Sequence, residues 1–229
     1  MKTVLSTKIL SPSQKQLLLN AGLGFVEYNA IKIIPIDFEI THSADNFIFT
    51  SKNAVKAFLK KKTGEVHPSF EKTRPKIPNI FCVGENTRAL LEENGLKVVK
   101  NAENASKLGE MIAKKHKNES FLFFCGNRKR KELPTILAKN GITFKEIEVY
   151  NTELNPKKFD RSFNGVLFFS PSAVESYTEV NQLNNIAAFC IGNTTAEEAK
   201  IHTNNIIIAN KPTIENTLVQ VVKFLNPHK

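Results

Sequence analysis

The sequence predicts an α/β protein of two parallel-sheet lobes joined by a two-strand linker, one lobe inserted in the other. Three observations predict it. Short apolar runs alternate with segments of helical period along the chain. A strand-to-helix motif, Phe49-Thr50-Ser51-Lys52-Asn53-Ala54-Val55, recurs as Phe168-Phe169-Ser170-Pro171-Ser172-Ala173-Val174. A further unit of strand, polar loop, helix and strand occurs over 3–34 and again over 121–150, before the serine motif in the first half and after it in the second.

The elements follow in order. Residues 4–7 read as a short strand. Ser11 N-caps the next helix, with Pro12 at its first position, where a missing N–H costs nothing, and Gln14 closing a capping box. Leu17, Leu18 and Leu19 are expected on its inner face, and Asn20-Ala21-Gly22 ends it. A single strand is then expected over 25–34, broken by Pro35. After a polar stretch come a strand at 47–50 and a helix through Val55, Phe58 and Leu59. Residues 63–79, rich in proline and charge, read as a mobile surface loop. The strand at 80–83 turns at Gly84 into a helix ending at Asn94-Gly95, and a short strand (97–99) and a helix (105–116) follow.

The stretch 121–152 organises the rest. Its apolar opening, 121–125, is too short for a helix, and Gly126-Asn127 starts a polar loop. Proline inside a helix removes a hydrogen bond and clashes, so Pro134 belongs to a first turn and Arg128, Lys129, Arg130 and Lys131 to the loop or that turn. Asn140-Gly141 stops the helix, and a strand over 144–150 runs parallel to the first after a right-handed crossover. The loop over 126–131 then lies at the carboxyl end of its strand, where open parallel sheets bind ligands. Strands at 165–169, 186–191 and 206–209 follow, with helices between them. Thr194 and Thr195 are expected to cap the helix over 196–201, and Lys211-Pro212-Thr213 opens the last one.

The permuted repeat assigns the domains. Residues 1–36 and 152–229 form one flavodoxin-like α/β domain and 37–151 the inserted one, with linkers near 33–38 and 148–153. Two strands bridging two lobes would make a hinge and a cleft.

Composition narrows the function. Of 229 residues, 41% are hydrophobic and 24% charged, which is ordinary for a globular protein. No apolar run approaches the ~20 residues that span a bilayer, and Lys8 interrupts what would be the core of a signal peptide, so a cytoplasmic protein is expected. Cys82, Cys125 and Cys190 lie far apart in apolar runs and read as small buried hydrophobes. The histidines show no ligand spacing, so no metal is expected. A net charge of +10 attracts polyanions without choosing among nucleic acid, an anionic membrane face and a small polycarboxylate. With no nucleic-acid motif and no aromatic residues interleaved in a basic stripe, no specific nucleic-acid partner is expected. No membrane partner is expected either.

Ser51 and Asn53 in one lobe, and Ser170 and Ser172 in the other, stand where a strand gives way to a helix. Free N–H groups and the positive end of the helix dipole make such turns anion sites, with plain N-capping as the alternative. Gly84 with Thr87, and Gly192 with Thr194 and Thr195, supply two more turns in matching places. No nucleophile elbow, Walker loop or dinucleotide fingerprint is present. Tyr150, at one crossing, is a proton-donor candidate or a packing tyrosine.

At these motifs the sequence resembles the uroporphyrinogen-III synthase family. The resemblance is carried by the run starting at Phe49, Val83-Gly84 through Thr87, Cys125-Gly126-Asn127 with Arg130 and Leu133-Pro134, Val149-Tyr150-Asn151-Thr152, the run at Phe168, and Ile191-Gly192 with Thr194-Thr195. It covers nearly the whole chain. It implies a cofactor-free lyase that closes hydroxymethylbilane, a linear tetrapyrrole polycarboxylate, into uroporphyrinogen III with inversion of ring D and loss of water. It implies Tyr150 as donor to the departing hydroxyl, and Ser51, Thr87, Asn127, Ser170, Ser172, Thr194 and Thr195 as substrate contacts. Asn53 and Arg130 are further candidate contacts, Arg130 being equally readable as a solvated loop charge. Lys52 and Asn193 stand where many relatives carry proline. A monomer is expected. The alternative is a non-catalytic two-lobed protein that closes on a small anion as a sensor.

Overall fold

The structure, a computed structural model, describes residues 1–41, 44–63 and 78–226. The loop expected over 63–79 lies outside the described residues save at its ends. The chain divides into two compact units, Met1–Lys32 with Glu153–Lys229, and Ile33–Thr152.

The elements begin with β1 (Thr3–Ser6), α1 (Pro12–Asn20), β2 (Gly24–Glu27) and β3 (Ile31–Pro35). Next come β4 (Asn46–Phe49), α2 (Lys52–Thr63), β5 (Asn79–Val83), α3 (Glu85–Glu93), β6 (Val98–Ala102) and α4 (Ala105–Lys115). Then follow β7 (Ser120–Gly126), α5 (Glu132–Lys139), β8 (Thr143–Leu154), β9 (Gly165–Phe168) and α6 (Pro171–Thr178). The chain closes with β10 (Ala187–Cys190), α7 (Asn193–Ala199), β11 (Ile206–Ile208) and α8 (Ile214–Leu225).

The first unit's sheet has the order β2-β1-β9-β10-β11, all parallel, which is the flavodoxin-like order. The second unit's sheet runs β8-β7-β4-β5-β6, also parallel, with β3 added beyond β8. Substituting β8, β7, β4, β5 and β6 for β2, β1, β9, β10 and β11 converts one order into the other. The permuted repeat is therefore one spatial arrangement that the chain enters at two different points.

Each sheet is buried on both faces, which is why its strands read as nearly continuous apolar runs. In β7, Leu122 and Phe124 pack with Ala54, Val55 and Phe58 of α2 and Leu91 of α3. Phe121, Phe123 and Cys125 alternate to the other face, with Leu108 and Ile112 of α4 and Leu133 and Leu137 of α5. In the first unit α6 and α7 cover Val166 and Phe168, while α1 and α8 cover Val4, Leu167 and Phe189. Gly109 lets α4 and α5 approach, since a Cβ there would meet Ile136 Cγ2 at 2.8 Å.

Two expectations are corrected. The strand expected over 25–34 is two strands in different sheets. The Tyr28 and Ala30 N–H groups donate to Ser6 O and Thr7 O, so the chain follows β1 to its end and buries Ala30 before leaving for β8. Pro35 closes β3 on the sheet edge, where a missing N–H breaks no ladder. Of the three leucines in α1 only Leu18 is buried, Leu17 and Leu19 being 41% and 53% exposed. Consecutive residues on a helix with 3.6 residues per turn point in different directions, so three in a row cannot share one face.

Phe124 is the centre of the second unit's core. Its ring stacks on Phe49 at 5.0 Å and meets Phe47 and Phe58 edge-on at 4.9 and 5.0 Å. Phe124→Ala is expected to cost about 3–5 kcal/mol, read by urea denaturation.

Candidate active site

Parallel sheets of this kind bind ligands outside the carboxyl ends of their strands, where the strand order reverses. In the second unit that point falls between the neighbours β4 and β7, whose following helices α2 and α5 cover opposite faces. Ser51 follows β4 there, Gly126 and Asn127 end β7, and Tyr150 arrives on β8 beside them.

Ser51 caps α2, its Oγ accepting the Ala54 N–H at 3.1 Å, and lies 3.2 Å from the Tyr150 hydroxyl. The Tyr150 ring lies directly over Gly126. A Cβ at residue 126 would come within 2.5 Å of the ring carbons Cε2 and Cζ, so the seat exists because residue 126 has no side chain. Burial pushes the Tyr150 phenol above its ordinary value, the Ser51 hydrogen bond opposes this, and the neighbouring Cys125 adds to the rise. The phenol therefore keeps its proton at neutral pH.

A β-bulge turns that ring toward Ser51. Cys125 pairs with Glu148, but the next residue, Gly126, pairs with Tyr150, leaving Val149 as the extra residue. Ile147 and Val149 both belong to the core beneath α2. Regular alternation would send Tyr150 to the opposite face. Instead it packs against the same core as Val149. Immediately beyond the bulge, the Asn127 N–H donates to Tyr150 O at 3.3 Å, and Asn127 Oδ1 accepts the Thr152 N–H at 2.8 Å.

The loop after β7 carries several cations. Lys129 is bound to Glu146 and Glu148 at 3.0 and 3.2 Å. Burial works to lower Lys129, but the hydrogen bonds to both carboxylates outweigh it and hold the ammonium raised. Arg130 is exposed on that loop.

The remaining predicted turns form in matched pairs. Ser170 caps α6, its Oγ accepting the Ala173 N–H at 3.2 Å as Ser51 accepts that of Ala54. Gly84 O accepts from Thr87 and Arg88, and Gly192 O from Thr195 and Ala196, all between 3.0 and 3.1 Å. Thr194 and Thr195 do not cap their helix. Gly192 holds the N-cap position without a side-chain bond, and both threonines lie inside the first turn of α7, which ends at Ala199. Thr87 and Thr195 are buried, whereas Asn53, Ser172 and Thr194 are half-buried. The second unit thus brings Ser51, Tyr150 and Asn127 to one strand end, with Arg130 exposed beside them, while Ser170, Ser172, Thr194 and Thr195 belong to the first unit.

Cys82, Cys125 and Cys190 are buried free thiols, pushed up by burial to about 11, 12 and 12. Among the described residues no group of three or more His, Cys, Asp or Glu is placed to hold a metal ion. No helix among them is long and apolar enough to cross a membrane. Sequence reasoning missed Gly126 as the seat of the ring, Asn127 as a strand clamp, the bulge, and the pairing of Lys129. The one available signal was Val149-Tyr150, two adjacent inward residues in a strand that otherwise alternates.

The fold and these turns define an α/β protein of two parallel-sheet units, with hydroxyl-bearing turns at the strand ends. A family model described as uroporphyrinogen-III synthase HemD matches residues 13–218, and the chain belongs to that family. A porphyrin biosynthesis protein HemD from Ruminiclostridium josui is 26% identical over 97% of this chain and 49% of its own length. The chain thus spans about half the length of that curated relative. A crystal structure of uroporphyrinogen-III synthetase from Helicobacter pylori matches with a TM-score of 0.73 at 22% identity, over 98% of this chain and 100% of the other. A mutant uroporphyrinogen III synthase from Thermus thermophilus matches with a TM-score of 0.66 at 12% identity, over 100% of both chains. Both likenesses establish the two-lobed parallel α/β fold.

Gly126→Ala tests the seat of Tyr150. The added methyl displaces the ring, and the variant is expected to lose about 1–3 kcal/mol in urea denaturation.

Proposed function

We propose that the chain is a uroporphyrinogen-III synthase, a hydro-lyase that closes hydroxymethylbilane into uroporphyrinogen III with inversion of ring D. The observation that carries this reading, beside family membership, is the Ser51–Tyr150 hydroxyl pair, 3.2 Å apart at the point where the strand order of the second unit reverses.

In this reading Tyr150 donates its phenolic proton to the terminal hydroxyl of the substrate as the carbon–oxygen bond breaks and water leaves. The adjoining pyrrole nitrogen supplies the electron pair, so the substrate generates its own azafulvene cation and the acid need only be positioned. The azafulvene carbon bonds to the substituted carbon of ring D, giving a spiro intermediate. That intermediate fragments and closes again with the ring reversed. Loss of a proton from carbon restores the aromatic pyrrole and balances the proton given to the leaving hydroxyl. The Ser51 hydroxyl hydrogen-bonds the phenol and stabilises the phenolate while it lasts.

The acetates and propionates are gripped by the opening turns of the helices. Ser51, Asn53 and Thr87 are the proposed contacts of the second unit, with Asn127 and Arg130 on the loop after β7. Ser170, Ser172, Thr194 and Thr195 are those of the first. Two matched pairs of turns, one capped by Ser51 and Ser170 and one opened by Gly84 and Gly192, support this role, since helix N-termini offer N–H groups and a positive dipole end to carboxylates. We further propose that the two units act as two domains of a cytoplasmic monomer.

The test is product isomer analysis with hydroxymethylbilane generated in situ. Predominant type III uroporphyrin after oxidation is the expected result, and only type I from folded protein overturns the assignment. Tyr150→Phe is expected to lower kcat roughly 10²- to 10⁴-fold with little change in KM, and an unchanged kcat removes Tyr150 as the acid.

A further inference from the structure

We infer that Asn127 is a positioning residue for Tyr150: its carboxamide oxygen locks the β-bulge that swings the phenol onto the Ser51 side of the sheet. The catalytic consequence rests on the synthase reading, whereas the structural one does not.

The bulge solves one problem and creates another. Inserting Val149 puts Val149 and Tyr150 over the same core and brings the Tyr150 hydroxyl within reach of Ser51. It also interrupts the ladder where β7 ends, because Gly126 is the last residue of that strand. A strand end with a disrupted ladder frays, and β8 runs on to Leu154 from this point. Asn127 extends the pairing by two bonds. Its backbone N–H holds Tyr150 O at 3.3 Å, and its side-chain oxygen takes the Thr152 N–H at 2.8 Å, where a strand partner's carbonyl would otherwise be. Both bonds lie on the carboxyl side of the Tyr150 Cα, one at its own carbonyl and one at the N–H two residues further on, so the strand is held immediately beyond the ring. A side chain with an acceptor in this place is required, and the two donor hydrogens of the carboxamide are not part of the device.

That asymmetry makes the inference separable from a role of Asn127 in gripping a substrate carboxylate. Asn127→Asp keeps the acceptor for Thr152 and replaces both donors with negative charge, while Asn127→Ala removes everything. The protein has three tyrosines, so [13Cζ]tyrosine labelling gives three resonances, and Tyr150→Phe assigns the one that matters. Asn127→Ala is expected to move the Tyr150 resonance and to lower kcat roughly 10- to 100-fold, the scale of a displacement near 1 Å. Asn127→Asp is expected to leave the resonance in place, an acceptor-for-acceptor replacement that keeps the bond from Thr152 whatever its charge does to substrate binding.

If the aspartate variant displaces the resonance as the alanine variant does, or if neither displaces it, the clamp is overturned. A rise in KM for both variants with kcat and the resonance unchanged confines Asn127 to substrate binding and overturns the clamp. Should the alanine variant not fold, Asn127→Leu, of similar size and without an acceptor, takes its place in the comparison with the aspartate variant. If the protein forms no type III product, the resonance still tests the clamp, so the two readings fail separately.

Discussion

Parallel strands can be joined only by crossovers that pass over a face of the sheet, and this constraint governs both units. Each crossover here is a helix, each helix covers one face, and both faces are therefore dry. Leu122 and Phe124 on one side of β7, and Phe121, Phe123 and Cys125 on the other, leave that strand no polar side. Polar groups are driven to the strand ends. The carboxyl ends, where free helix N–H groups collect, become the place where a polar ligand can be met at all.

The same constraint explains why one polar contact needs so much support. The Tyr150 hydroxyl must reach Ser51 from a strand whose inward positions are apolar, and it does so by leaving the regular pleat. The ring then needs room, which the missing side chain of Gly126 supplies, and the strand beyond needs a partner, which Asn127 supplies. Burial raises the phenol and keeps it protonated, and the Ser51 hydrogen bond offsets part of that rise by stabilising the charged form.

Much of this was legible beforehand for a physical reason. Short apolar runs, capping chemistry and glycine stops are local, so the elements and the paired turns at Ser51 and Ser170 could be read directly. The repeat of short motifs gave the permuted order of the units because motif order is itself a one-dimensional property. The errors came where a local pattern met a tertiary demand. Residues 25–34 look like one strand, yet the ends of β1 and β8 claim its two halves for different sheets. Thr194 and Thr195 look like caps, yet the Gly192 carbonyl receives the first-turn bonds and the threonines follow it into the helix.

The sequence by itself determined the α/β class, the two-fold repeat, the family resemblance and Tyr150 as the residue of interest, because these depend on residue type and spacing along the chain. Only the tertiary structure decided which way Tyr150 faces, that Gly126 lies beneath it, that Asn127 holds Thr152, and that Lys129 is engaged by Glu146 and Glu148. A one-residue bulge reverses every side chain beyond it without altering composition or hydrophobic content, so the facing of Tyr150 is set by register between strands that the chain order does not contain.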